Sequence, residues 1–176
     1  YKEFLQSLVN RNMNEAVVLT EINRNNYLSG RSENYRTKYA YDFLAALEKK
    51  NQQYGYNVEI IDALLTQLQM SFYSNRGGDD NEKENSKKVY EWLKYGIDKY
   101  PNYDRINILK RRLANLEMPT AQIAGKAVYH PDNKEKKFKL TYKNLNEATV
   151  KVLDNNTKAV VQTKKIPLSP KTTYLT

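Results

Sequence analysis

The chain contains no cysteine and a single histidine, His130, among its 176 residues. Without cysteine there is no disulfide, thiolate nucleophile, zinc ribbon or thioester within these residues. With no second histidine and no cysteine, a zinc site of the usual ligand types and a Ser-His-Asp triad have little to draw on. We interpret His130 as an exposed residue of a Tyr-His-Pro-Asp turn. We therefore predict no catalytic residue, no metal ligand and no cofactor site, and we expect that the chain is not an enzyme.

Long hydrophobic runs are also absent. No stretch of 18 apolar residues occurs, so no transmembrane segment is expected. A leader with a charged start followed by an apolar stretch is missing as well. The chain starts at Tyr1, inside a helical apolar pattern that includes Phe4, Leu5 and Leu8. We interpret this start as a cut within a longer protein.

Two local motifs resemble functional sites but do not meet the requirements of those sites. The glycines at 77 and 78 lack the preceding strand and the following Lys-Ser/Thr of a phosphate-binding loop. The acidic run from Asp79 has Glu84 and Tyr90 where an EF-hand loop needs glycine and glutamate. Residues 76–85 are therefore predicted to form an exposed loop.

Charge and tyrosine are distributed unevenly along the chain. Residues 1–119 carry 18 Lys+Arg and 16 Asp+Glu, whereas residues 120–176 carry 11 and 4 and hold no arginine. Twelve of the 15 tyrosines precede residue 120. These two compositions predict two domains, 1–119 and 120–176, with the joint at Pro119, which cannot continue a helix.

Apolar residues recur at helical spacing in four stretches of the first domain. These stretches are 39–47, 60–72, 89–97 and 106–116. Gly55 is a predicted helix stop, Asn57 a predicted N-cap, and Tyr100-Pro101 the predicted end of the third helix. One or two further helices are expected within 1–30. Trp92 is expected to be buried between helices.

The predicted fold class is α+β. Helix pairs joined by short turns favour an antiparallel, tetratricopeptide-like array, and a plain antiparallel bundle fits the same pattern. No convincing 34-residue self-similarity supports the array. Only residues 89–101 resemble the end of such a repeat.

The second domain shows the period-two alternation of strands, with Phe138, Leu140 and Tyr142 expected to face inward. Strands are predicted over 120–129, 136–143, 148–153 and 158–163, with 166–170 extended or irregular. The turn at 154–157 contains a glycosylation sequon, although such turns are rich in these residues. Four strands are about half of the roughly seven in a β-sandwich. We therefore predict a partial, truncated sandwich.

Lysines alternate with the inward-facing residues of the predicted strands. The candidates for a face that binds an anionic partner are Lys137, Lys139, Lys143 and Lys151. The same pattern is typical of a solvated sheet whose lysines protect its edges from aggregation. Nucleic acid is not an expected partner, because the aromatic residues point away from the lysines and arginine is absent.

From Tyr100 onward, the order of residues resembles a known family. The landmarks are Tyr100-Pro101, Asn107-Ile108-Leu109, Leu113, Leu116, Pro119, Pro131, Tyr142-Lys143-Asn144 and Val150-Lys151-Val152. They resemble the N-terminal region of bacterial alpha-2-macroglobulin-like proteins, in which a helical region precedes the first macroglobulin domain. The resemblance covers about residues 100–153.

This resemblance implies a non-catalytic scaffold or interaction region of a large, exported, peptidase-trapping protein. Family members are peptidase inhibitors that are periplasmic or associated with the outer membrane. The implied partners are downstream domains of the same chain and, through the full-length protein, peptidases. Since the chain has neither cysteine nor a recognisable bait segment, no capture residue of the family is assigned to any position here.

A free-standing helical-repeat module that binds proteins and carries a basic β-appendage is the alternative. Its groove would be rich in tyrosine, and the candidates are Tyr35, Tyr39 and Tyr90. Packing of the same tyrosines between helices, with their hydroxyls at the rim, is the simpler interpretation.

Overall fold

A computed structural model describes residues 1–74, 79–125 and 138–169, and of 71–74 and 79–83 it describes the backbone alone. These described residues form an α+β chain, which confirms the predicted class, with seven helices and four strands. The helices are α1 (Lys2–Asn10), α2 (Asn14–Arg31), α3 (Glu33–Lys38), α4 (Ala40–Lys50), α5 (Asn57–Ser74), α6 (Asp79–Lys99) and α7 (Asn107–Glu117). The strands are β1 (Thr120–Ala124), β2 (Lys139–Lys143), β3 (Glu147–Leu153) and β4 (Val160–Pro167).

The chain divides into two compact units, Tyr1–Leu113 and Ala114–Thr176, which are described separately below. The first unit holds helices α1 to α6 and most of α7. The second begins within the last turns of α7 and holds the four strands. Met118 and Pro119 directly follow the end of α7.

Helix α5 lies at the centre of the helical unit and contacts α2, α4 and α6. Its apolar residues recur more often than once per turn, so they cover more than one side of the helix. The buried ones are Val58, Ile60, Ile61, Ala63, Leu64, Leu65 and Leu68. A helix that is apolar on several sides is a core helix, and α2, α4 and α6 pack against it.

The predicted loop over 76–85 is wrong for residues 79–85, because α6 begins at Asp79. Its first two residues are aspartates, and negative charge near the N-terminus of a helix is stabilised by the positive end of the macrodipole. Further along, Lys88 pairs with Glu84 at 2.8 Å, which is the helical spacing of four residues. The acidic run therefore begins a helix, and its glycines lie outside the described residues. At its other end α6 stops at Lys99, as the following Tyr100-Pro101 predicts.

Gly96 lies at a close approach between α6 and its neighbours. A methyl group added there would lie 2.6 Å from Leu109 Cδ1 and 3.1 Å from Ile61 Cδ1. Both side chains are fully buried and have little room to move. We expect Gly96→Ala to lower the free energy of unfolding by about 1–2 kcal/mol, because overpacking outweighs the gain in helix propensity.

Gly30 in α2 provides the matched control, since a methyl group there meets nothing within 4 Å. Gly30→Ala should raise the free energy of unfolding by up to about 1 kcal/mol. Urea titration followed by circular dichroism measures both variants. A Gly96→Ala variant that is as stable as Gly30→Ala, or more stable, would contradict a tight contact at Gly96.

The strands form two separate two-stranded antiparallel sheets within the described residues. Strand β1 pairs with β2, with Thr120 opposite Lys143 and Ala124 opposite Lys139. Strand β3 pairs with β4, with Val152 opposite Gln162 and Leu153 opposite Val160, so Val161 of β4 is the extra residue of a bulge. All four predicted strands exist with antiparallel partners. Their bounds differ, because β1 ends at Ala124 and β4 extends to Pro167, into the stretch 166–170 that was predicted to be extended or irregular.

Phe138 does not face inward, contrary to the sequence-based expectation. Its side chain is 61% exposed, whereas Leu140 and Tyr142 are half-buried. Phe138 precedes β2, and its ring lies where a side chain at Gly125 would have to go. A two-stranded sheet buries too little area to cover a phenylalanine that lies beyond its last ladder pair.

Candidate functional site

The most connected polar cluster surrounds Glu48, a residue of α4 that is only 3% exposed. Its Oε1 accepts hydrogen bonds from the Tyr95 hydroxyl at 2.8 Å and from Asn57 Nδ2 at 2.9 Å. Its Oε2 accepts from Gln52 Nε2 at 3.1 Å. A buried carboxylate is costly unless donors surround it, and here three neutral donors do so.

Tyr100 and Lys99 complete this cluster, which we call the Glu48 network (Glu48, Gln52, Asn57, Tyr95, Lys99 and Tyr100). The Tyr100 hydroxyl accepts from Asn57 Nδ2 at 2.8 Å and donates to the Gln52 carbonyl at 2.9 Å. Lys99 Nζ donates to the Tyr95 hydroxyl at 3.0 Å. The ammonium also lies 5.1 Å from the Tyr95 ring centroid and 5.7 Å from that of Tyr100. Lys99 is the only cation of the network, and the Tyr95 hydroxyl bridges its ammonium and the Glu48 carboxylate.

Burial raises the pKa of both tyrosines in the network. For Tyr95 the hydrogen bond to the Glu48 carboxylate adds to the effect of burial on the pKa. For Tyr100 burial is again the main cause, and the hydrogen bond from Asn57 partly offsets the rise in pKa. Both phenols therefore stay protonated as donors at neutral pH.

The Glu48 network connects helices, and its carboxylate is buried. Glu48 and Asn57 are buried, so no substrate reaches the carboxylate from solvent. The network joins α4, α5 and the end of α6 through side chains up to 48 residues apart. Such a network favours one relative arrangement of the helices, because its hydrogen bonds form only in that arrangement.

Asn57 has a different role from the predicted N-cap. Its Nδ2 donates to Glu48 and Tyr100, as described above. Its Oδ1, the atom that would cap the helix, has no hydrogen-bond partner among the described residues. The capping prediction is therefore wrong, because the tertiary network uses the amide.

A second cluster surrounds Tyr103, just after α6. The Tyr103 hydroxyl lies 3.2 Å from Glu59 Oε1 and 3.3 Å from Glu15 Oε1. Arg105 pairs with the other oxygen of Glu59 at 3.3 Å. Burial, followed by the negative charges of Glu59 and Glu15, raises the pKa of Tyr103 far above its ordinary value of 10.0.

The raised pKa of Tyr103 makes stability depend on pH in the alkaline range. The native phenol holds its proton more tightly than the unfolded one, so this stabilisation is complete below about pH 10 and falls as pH rises further. The parent chain should therefore lose more unfolding free energy between about pH 9 and 11 than Tyr103→Phe loses. Urea titrations across this range measure the difference.

Tyr27→Phe is the matched control for that comparison, since Tyr27 is 63% exposed. Its pH dependence should follow that of the parent chain. A Tyr103→Phe profile that also follows the parent would show that Tyr103 does not couple stability to pH.

Of the three tyrosines predicted to line a groove, Tyr35 and Tyr39 lie close together. Tyr35 is half-buried on α3, its hydroxyl donates to Asn25 Oδ1 at 2.9 Å, and its ring lies 6.2 Å from that of Tyr39. Tyr39 precedes α4 and is 55% exposed. Tyr90 is half-buried on α6. Tyr41, by contrast, is a core contact that accepts a hydrogen bond from Trp92 Nε1 at 3.2 Å.

The predicted lysine face is distributed over two sheets. Lys139 and Lys143 lie on β2, and Lys151 lies on β3. Lys139 and Lys151 are exposed and Lys143 is half-buried. Lys137 and His130 lie outside the described residues.

The described residues were compared with the requirements of a metal site and of a membrane-spanning helix. Among the described residues, no three His, Cys, Asp or Glu side chains lie close enough together to hold a metal ion. In the same part of the chain, no helix has the length and apolar character needed to cross a membrane.

No protein-family model, curated protein or solved structure matches the chain.

Proposed function

We propose that the chain is a non-catalytic scaffold and interaction region of a larger, exported, alpha-2-macroglobulin-like peptidase-trapping protein. The order of the two units supports this proposal, because a helical unit is followed directly by β-strands. The landmarks at Tyr100-Pro101, Pro119 and Tyr142-Lys143-Asn144 support the same family. The proposal includes a tetratricopeptide-like helical array and an incomplete sandwich.

The observation that carries the proposal is the exposure of the sheet formed by β1 and β2. Ile123 of β1 is 56% exposed, and Phe138, which directly precedes β2, is 61% exposed. A two-stranded sheet with apolar residues in solvent is marginal by itself and gains stability when further β-structure covers it. We infer that downstream β-domains of the same protein pack on this sheet.

The helical unit would serve as a rigid support in this arrangement. Its buried polar groups hold helices in one arrangement, and none of them is placed for acid–base or nucleophilic chemistry on a substrate. Its role would be to position the β-unit and to contact neighbouring domains. Peptidases would be partners of the full-length protein rather than of this region.

A blot of fractionated native cells tests the proposal, with an antibody raised against the chain. We expect a band several times larger than 20.6 kDa in the envelope fraction. Antibody adsorbed with the purified chain provides the control for specificity. A single band near 20 kDa in the cytosol would contradict the proposal.

That second outcome would favour the alternative, a free-standing helical binding module. The observation on its side is the exposed Tyr39 ring beside Tyr35. Exposed tyrosines are frequent anchors of protein interfaces. The two functions therefore separate in one experiment.

A further inference from the structure

A small group of uncharged polar side chains lies inside the helical unit, where α2 meets α5. Asn25 and Ser29 belong to α2, Gln67 belongs to α5, and these residues are only 0%, 2% and 5% exposed. Asn25 and Ser29 are four residues apart, so they lie on the same face of α2, one turn from each other. Their polar atoms need partners inside the protein, because solvent does not reach them.

Each of the two amides uses only one of its ends in a hydrogen bond. Asn25 Oδ1 accepts from the Tyr35 hydroxyl at 2.9 Å, and Gln67 Nε2 donates to Ser29 Oγ at 3.3 Å. The other ends, Asn25 Nδ2 and Gln67 Oε1, are buried and have no partner among the described residues. One of them is a donor and the other is an acceptor, and leaving either unpaired destabilises the fold.

A flip of either amide does not remove this deficit. If the Gln67 amide is flipped, its oxygen accepts from the Ser29 hydroxyl and its nitrogen is left unpaired. If the Asn25 amide is flipped, its nitrogen donates to the Tyr35 hydroxyl and its oxygen is left unpaired. Every arrangement therefore leaves one buried polar atom on α2 and one on α5.

The two unpaired atoms are close enough in the fold for one small molecule to reach both. Gln67 contacts Ser29, and Ser29 follows Asn25 by one helical turn, which places their Cβ atoms about 5–6 Å apart. A molecule that makes two hydrogen bonds of about 2.8 Å with one oxygen atom spans the same distance.

The chemistry of the deficit defines the ligand that fits. A metal ion cannot pair with an N–H donor and a halide cannot pair with a carbonyl oxygen, so neither satisfies both atoms. A water molecule donates two hydrogen bonds and accepts two, and it therefore fits every arrangement of the two amides. The burial of Asn25, Ser29 and Gln67 also favours the smallest ligand of this class.

We propose that one water molecule binds between α2 and α5, where it accepts from Asn25 Nδ2 and donates to Gln67 Oε1. The Ser29 hydroxyl is its third partner, in agreement with the roughly three hydrogen bonds that a buried water makes. The bound water is part of the helix packing, because it satisfies both amides at once. The site depends on the helical unit alone, so it goes beyond both functions considered above.

A high-resolution crystal structure of the whole chain tests the site directly. We expect electron density for one water within about 3.2 Å of the side-chain amides of both Asn25 and Gln67. Direct contact between the two amides would overturn the proposal. So would the absence of density between them, or density for a larger solute.

Oxygen-17 magnetic relaxation dispersion tests the site in solution, because it detects whole water molecules that stay bound for longer than the protein takes to tumble. Asn25→Leu/Gln67→Leu replaces both amides by apolar side chains of similar size and so removes the demand for a polar ligand. We expect the parent chain to hold one more long-lived water than this double variant.

Gln6→Leu/Asn10→Leu is the matched control. It makes the same two changes in an exposed pair on α1, where Gln6 Nε2 donates to Asn10 Oδ1 at 2.9 Å. This variant should keep every long-lived water of the parent chain, and circular dichroism establishes beforehand that both double variants are folded. If Asn25→Leu/Gln67→Leu does not fold, the crystal structure decides.

Three results of the dispersion measurement would overturn the proposal. They are a parent chain without any long-lived water, equal dispersion for the parent and Asn25→Leu/Gln67→Leu, and an equal loss in both double variants. The fractionation blot does not bear on these results, so the water site and the proposed function fail separately.

Discussion

Glu48→Ala is expected to lower the free energy of unfolding of the helical unit by about 3 kcal/mol. The substitution removes the acceptor of the Tyr95 hydroxyl, of one Asn57 N–H and of the Gln52 amide. The buried Asn57 amide and the half-buried Tyr95 and Gln52 then lose this partner, and the missing side chain leaves a cavity. Relief of the buried charge offsets part of this cost, so the loss stays below the sum of three charged hydrogen bonds.

Glu48→Gln separates the charge from the shape of the side chain. The glutamine oxygen can still accept from Tyr95 and Asn57, and only the contact with Gln52 changes. We expect a loss of about 1 kcal/mol. Urea titration with circular dichroism measures both variants, and Glu91→Ala on the exposed face of α6 should change stability by no more than about 0.5 kcal/mol. If Glu48→Ala were as mild as Glu91→Ala, the network would not stabilise the fold.

Trp92→Ala should cost about 3 kcal/mol, at the lower end of the range for large aromatic residues. Trp92 was predicted to be buried, and the structure shows it half-buried against the core around Leu44, Ile60 and Leu64. Its Nε1 donates to the Tyr41 hydroxyl at 3.2 Å, and its ring meets that of Tyr95 edge to face at 5.6 Å. The substitution removes apolar burial, an aromatic pair and a hydrogen bond together.

Trp92→Phe is the control, because it keeps a ring in place and loses the indole N–H. A loss of about 1 kcal/mol is expected. Since Trp92 is the only tryptophan, circular dichroism must replace fluorescence for both variants. A neutral result for Trp92→Ala would place the indole outside the core and strengthen the groove hypothesis.

The helices were predictable to the extent that their apolar residues follow one period. The stripes at 60–72, 89–97 and 106–116 each correspond to a helix, because burial against neighbours requires that spacing. The start of α6 was missed, since acidic and polar residues favour a loop by composition but favour a helix terminus by charge. Local composition does not decide between these two effects.

The polar networks could not be predicted from local patterns. Asn57 lies at a helix start and has the sequence signature of a cap. Its other role is shown only by its hydrogen bond to Tyr100, which is 43 residues away in sequence. Glu48 follows an apolar stripe and gives no local sign of burial. Both residues depend on partners that become neighbours only when the helices pack, which a single sequence does not reveal.

The strands illustrate the same limit on a smaller scale. Alternation located β2 and β3, because a half-buried strand has period two, whereas β4 was predicted from its two adjacent valines, which are strand formers. The pattern does not show which residues the sheet covers, so it did not predict that Phe138 is exposed. The side of a strand that is buried depends on the number of strands that cover it.

The order of helix contacts in the first unit has a consequence for how it forms. Most contacting helices are neighbours in sequence, such as α1 with α2, α4 with α5 and α5 with α6. Each of these pairs closes a short loop, so little chain entropy is lost before contacts compensate for it. The bond from Tyr103 to Glu15, 88 residues away, is a rare exception and closes a long loop. The unit can therefore assemble helix by helix from its centre, with the bond between Tyr103 and Glu15 added last.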